Sequence, residues 1–76
     1  MIKDDMAIHA GIPEKAIKAA LRQFDEVPSE VTWNLARSRP GRPTKVYFEA
    51  PTTAEMQLAK QRLEQLLNAS GFDLYP

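Results

Sequence analysis

Pro40, Gly41 and Pro43 fall within the segment 37–44, and β-forming runs flank that segment on both sides. Proline has no N–H for a sheet ladder and glycine turns freely, so this segment is expected to be a loop. Val31-Thr32-Trp33-Asn34-Leu35 alternates apolar and polar side chains, as a half-buried strand does. Lys45-Val46-Tyr47-Phe48 is rich in residues that favour strands. The middle of the chain therefore reads as a hairpin over 31–49 with a long tip. Everything else must pack on it, because 76 residues have room for one small domain, 1–76. A chain this short buries only about 60–65% of its unfolded surface. It has no cysteine and one histidine, His9, so neither a disulfide nor a Cys- or His-rich metal site is expected to reinforce it. No cofactor is expected.

Helical periodicity lies on both sides of the hairpin. Residues 3–10 read as a short helix that buries Met6, Ala7 and Ala10, with Gly11 ending it. Pro13 suits the first turn of a second helix, 13–24, and Glu14 complements its positive start. Ile17, Ala20, Leu21 and Phe24 form its buried stripe, while Lys15, Lys18, Ala19 and Arg22 fall on the other face. Downstream, Thr52 is followed three residues later by Glu55, the spacing of a capping box, and a helix is expected over 53–68. Met56, Ala59, Leu63, Leu66 and Leu67 make its apolar stripe, and Ser70-Gly71 ends it. That stripe has two uses: to cover the chain's own core, or to meet its copy in a second chain. The second use makes Met56, Leu63, Leu66 and Leu67 a dimer interface. Phe72, Leu74 and Tyr75 form an apolar tail.

Two helices crossing at a steep angle need a small residue in the first, a glycine-like turn, and apolar residues at fixed offsets. Ala7, Gly11, Ile12, Ile17 and Ala20 fill those positions. The stretch Met-Ala-Ile-His-Ala-Gly-Ile-Pro-Glu-Lys-Ala-Ile-Lys-Ala-Ala-Leu resembles the helix–turn–helix of bacterial and phage regulators. Only Met1 and Ile2 precede that pair, so the hairpin and the last helix must cover its back. Helix–helix–strand–strand resembles a winged helix. The resemblance implies a small α+β domain of winged-helix type, with a helix–turn–helix over 3–24, a wing over 31–49 and a C-terminal helix over 53–68. Within the wing, Gly41-Arg42-Pro43 resembles the centre of an AT-hook, although Pro40 stands where the hook has its first core arginine.

Ten Lys/Arg balance ten Asp/Glu, yet no acid occurs between Val31 and Phe48. That stretch carries Arg37, Arg39, Arg42 and Lys45, a local field of the kind that attracts nucleic acid. The winged-helix resemblance implies double-stranded DNA as the partner, and the small size of the chain together with its leucine stripe points to a homodimer. Glu14, Lys15, Lys18, Ala19 and Arg22 would face the major groove, and Arg37, Arg39, Arg42 and Lys45 the backbone or minor groove beside it. Transcriptional control in a bacterium, plasmid or phage is the setting the resemblance implies. The composition holds neither a membrane-length apolar run nor a signal-peptide profile at the start, so the cytoplasm is the expected compartment. No enzyme and no small-molecule ligand are expected. Asp4 with Asp5, and Asp25 with Glu26, are neighbours that point apart on a helix, and Ser29, Ser38 and Ser70 have no base the sequence can nominate. A second reading uses the same fold as a protein-interaction module. The zero net charge supports it, with the residues 72–76 and the leucine stripe as the contact surface.

Overall fold

The structure is a computed structural model that describes residues 1–36 and 41–74. The chain is a small α+β domain: β1 (Ile2–Ile8), α1 (Glu14–Asp25), β2 (Thr32–Leu35), β3 (Thr44–Ala50) and α2 (Thr53–Ala69). The three strands form one antiparallel sheet in the order β1-β3-β2. β3 is central. Its Thr44, Val46, Phe48 and Ala50 are buried on the inner face, while Lys45 and Tyr47 are exposed on the outer face. Both helices contribute to the single core on the inner face, and the outer face is left to solvent.

The expected helix over 3–10 is a strand. β1 pairs with β3 from Ile2↔Ala50 to Ile8↔Thr44, whereas β2 covers only Thr32↔Glu49 to Leu35↔Val46. A seven-residue central strand needs partners for its backbone groups on both sides. β1 supplies the long second ladder, and Ile2, Met6 and Ile8 alternate onto the inner face. The tertiary demand overrides a segment whose Lys, Asp and Ala are poor strand formers. The helix–turn–helix over 3–24 is therefore absent, and α1 has no partner helix ahead of it. Gly11 has a different job from the one expected of it. It does not use the left-handed region. A Cβ there would lie 2.9 Å from Cε1 of His9. The missing side chain makes room for the imidazole, whose Nδ1 accepts from the Gly11 N–H at 3.1 Å. Its Nε2 lies 2.7 Å from the Asp73 carbonyl oxygen. With Nδ1 accepting, Nε2 carries the proton and donates to that carbonyl. His9 thus ties the end of β1 to the tail after α2.

α1 begins one residue later than expected, with Pro13 in extended geometry as the flanking residue. Ile17, Ala20, Leu21 and Phe24 are its buried residues. Phe24 meets Phe48 of the sheet with ring centroids 5.9 Å apart. α2 starts behind Thr52, whose Oγ1 accepts from the Glu55 N–H at 3.2 Å. It ends in a Schellman-type turn: the Gly71 N–H reaches the Asn68 carbonyl and the Phe72 N–H the Leu67 carbonyl, each at 3.0 Å. Gly71 sits at φ 91°, a region that side chains resist. Gly71→Ala is expected to cost about 1–2 kcal/mol. Thermal melting checks it, at about 4–8 °C per kcal/mol for a domain of this size.

The leucine stripe faces the chain's own core. Leu63 and Leu67 have no exposure, Met56 has 2%, and Leu66 is partly buried against the same core. β1 and β3 present an apolar face that α1 alone cannot cover, so α2 spends its stripe inside its own chain. Met56, Leu63, Leu66 and Leu67, expected as a dimer interface, thus pack in the core of the single chain.

Candidate nucleic-acid interface

Ile8 pairs with Thr44, so the end of β1 lies beside the start of β3, where the hairpin tip returns. α1 begins a few residues after Ile8. The chain therefore enters α1 from the end of the sheet where β3 begins. α2 starts at the opposite end, after Ala50, and runs back, and the His9–Asp73 bond holds its tail near the tip.

Lys15, Lys18, Arg42 and Lys45 lie toward the tip end. The far end holds Asp25 at the end of α1, Glu26 just after it, Glu30 and Glu49 at the strand ends and Glu55 at the start of α2, together with Lys3 opposite Glu49 and Arg62 near Glu55.

On α1, Glu14, Lys15, Lys18, Ala19 and Arg22 line one shallow depression of about 330 Å³. The five expected residues are together on one face. Glu14 pairs with Lys18 at 3.8 Å, one turn apart, which answers part of its negative charge. Lys45 projects from the outer face of the sheet and pairs with Asp5 at 3.8 Å. Arg42 is exposed at the foot of the tip. Arg37 and Arg39 lie outside the described residues. Trp33 is half-buried opposite Phe48 on the inner face, and its Nε1 donates to Asp25 at 2.9 Å. Tyr47 stands on the outer face, 45% exposed.

Sequence reasoning missed one pair. Asp4 points inward from β1 and accepts from Lys60 of α2, which holds the helix to the strand. Lys60, followed by the Asp5 N–H, keeps the Asp4 carboxyl below its ordinary range. A carboxylate with a lowered folded pKa adds stability above its unfolded pKa, and that addition is lost as pH falls through the folded value. Stability should therefore decline below about pH 4. Asp4→Asn should flatten that part of the acid limb, measured by urea titration at pH 7 and pH 3.

A groove of about 390 Å³ lies toward the far end, between Phe24, Val31, Leu58 and Ala59. Glu55 and Arg62 rim it, and the Arg62 guanidinium sits 5.0 Å from the Phe24 ring centroid. Among the described residues no helix is long and apolar enough to cross a membrane, and no group of three His, Asp or Glu could hold a metal ion. Compared with protein-family models, curated proteins and solved structures, the chain has no match.

Proposed function

We propose that the chain binds double-stranded DNA as a small transcriptional regulator in a bacterium, plasmid or phage, without catalysis. The observation that carries this reading is that α1 starts a few residues after β1 ends, and that β1 ends beside the start of β3, where Arg42 and Lys45 stand. A strand, a helix and a hairpin whose return strand pairs with the first strand support a winged arrangement in which one helix stands beside the wing. Without a helix ahead of it, α1 relies on the sheet and α2 for its position. Lys15, Lys18 and Arg22 then meet phosphates or guanine edges, and Glu14 or Ala19 a base. Arg37, Arg39, Arg42 and Lys45 follow the backbone or the adjacent minor groove.

Anisotropy of a labelled mixed-sequence duplex tests this. Four phosphate contacts predict a log–log salt slope of about −3.6, so affinity should drop about a hundredfold between 50 and 200 mM salt. Arg42→Ala is expected to cost about 1–3 kcal/mol of DNA affinity and leave folding intact. Absence of binding at 50 mM salt would sink the DNA reading.

The groove between α1 and α2 favours a second reading, an interaction module. Leu58 is 64% exposed at its edge, an apolar contact offered to another protein. Association through it would hardly respond to salt.

A further inference from the structure

β1 is an edge strand. One side of its backbone pairs with β3, and the other side is the end of the sheet. It runs seven residues and contains neither proline nor glycine, so nothing in it breaks a further ladder. Charged residues on such an edge normally repel strangers, and Lys3, Asp4 and Asp5 form a charged block here. Their order by face is what matters. Lys3 and Asp5 project from the outer face, where they pair with Glu49 and Lys45 of β3 at 3.5 and 3.8 Å. Asp4 projects inward and is held by Lys60.

We propose that two copies of the chain pair antiparallel along β1, with Asp4 at the two-fold axis, to make one six-stranded sheet. In this register Lys3 of each copy faces Asp5 of the other, and Ile2 faces Met6. Opposed charges directly across a strand pair attract, and like charges repel. A register centred on Asp5 instead sets Asp5 against Asp5 and leaves Lys3 facing Ala7. A register centred on Lys3 sets Lys3 against Lys3 and Ile2 against Asp4. Centring on Asp4 alone among these lets both outer-face charges meet their opposites. The two Asp4 carboxylates then approach each other on the inner face, each already answered by its own Lys60. Each of these registers opposes one pair of like charges, and only the one centred on Asp4 adds two pairs of opposite charges, so the edge charges favour it over the other two. Ile2, 36% exposed in the single chain, gains Met6 of the second copy as cover.

The helix layer accommodates the arrangement. Opposed residues of like parity keep both α2 helices on the same side of the joined sheet. α2 packs over β1 and β3. With strands about 4.8 Å apart, the two α2 axes come about 10 Å apart, a normal packing distance. The groove beside the free edge, about 340 Å³, is where they meet, and Gln57, Lys60, Gln61 and Glu64 line its helix side. Lys60 and Glu64 offer complementary charges across the axis. The inference does not depend on DNA binding.

Sedimentation velocity on the whole chain, without DNA, from 5 µM to 500 µM tests it. The expected result is a concentration-dependent shift from 8.6 kDa to twice that mass. Lys3→Glu, which sets an acid against Asp5 of the other copy, should raise the dissociation constant at least tenfold. Its circular dichroism should stay that of the wild type, because the position is exposed. The double variant Lys3→Asp/Asp5→Lys restores opposite charges between copies, at the cost of the pairs with Glu49 and Lys45 within each, and should bind its copy more tightly than Lys3→Glu does. A wild-type chain that stays at 8.6 kDa throughout would overturn the proposal. So would a dimer indifferent to Lys3→Glu.

Discussion

Leu63→Glu is expected to leave the chain unfolded at 25 °C. Leu63 has no exposure and lies in the middle of α2, inside the core shared with Phe48 and Leu21. Removing a buried leucine alone costs about 2–5 kcal/mol. A carboxylate in its place must also be desolvated or protonated, since apolar side chains surround it. Small domains hold only about 5–15 kcal/mol in total, and one of 76 residues without cysteines sits at the low end. Far-UV circular dichroism and the emission of Trp33 would report the loss. Leu58→Glu is the control: it lies on the same helix but is 64% exposed, and it should shift stability by no more than about 0.5 kcal/mol. A well-folded monomeric Leu63→Glu chain would mean that this side chain serves an interface between copies, contrary to its burial here.

The contrast between these two leucines shows what sequence periodicity can and cannot give. The stripe Met56, Ala59, Leu63, Leu67 was legible as a stripe, and so was that of α1, because a 3.6-residue period is local. Which surface the α2 stripe meets is not local. It depends on an apolar sheet face made by residues far away in the chain, Ile8 of β1 and Val46 and Phe48 of β3. The first segment was misread for a related reason. Ile2, Met6 and Ile8 do alternate, but Asp4 interrupts them on the inner face. Its partner Lys60 lies 56 residues further on, out of reach of any window. Met6, Ala7 and Ala10 fit a helix equally well, and only the length of β3 decides for a strand. The hairpin was legible because prolines and a glycine separate two β-forming runs. At the candidate site, the grouping of Glu14, Lys15, Lys18, Ala19 and Arg22 followed from helical spacing alone. Its nearness to the hairpin came from the β1–β3 pairing, a contact that the helix reading of residues 3–10 could not contain.

Reversing the α1 face, with Lys15→Glu, Lys18→Glu and Arg22→Glu together, is expected to lower DNA affinity more than a thousandfold at 100 mM salt. Three cations become three anions, so three phosphate contacts are lost and three repulsions replace them. Each lost contact removes about 0.9 from the salt slope, which should fall by about 2.7. The fold should survive. All three side chains are exposed, and none belongs to the buried stripe of α1. The new glutamate in the first turn of the helix favours its positive end, while the one in the last turn opposes the negative end, so the two dipole effects largely cancel. Circular dichroism should therefore match the wild type even as anisotropy loses its response. Retained affinity with an unchanged slope would remove α1 from the interface and leave the hairpin as the whole of it. In that case the hairpin's four cations would share the remaining slope, and Arg42→Ala would remove about 0.9 of it. A loss confined to the α1 variant, with Arg42→Ala neutral, would instead make the helix the sole reader and the hairpin a bystander.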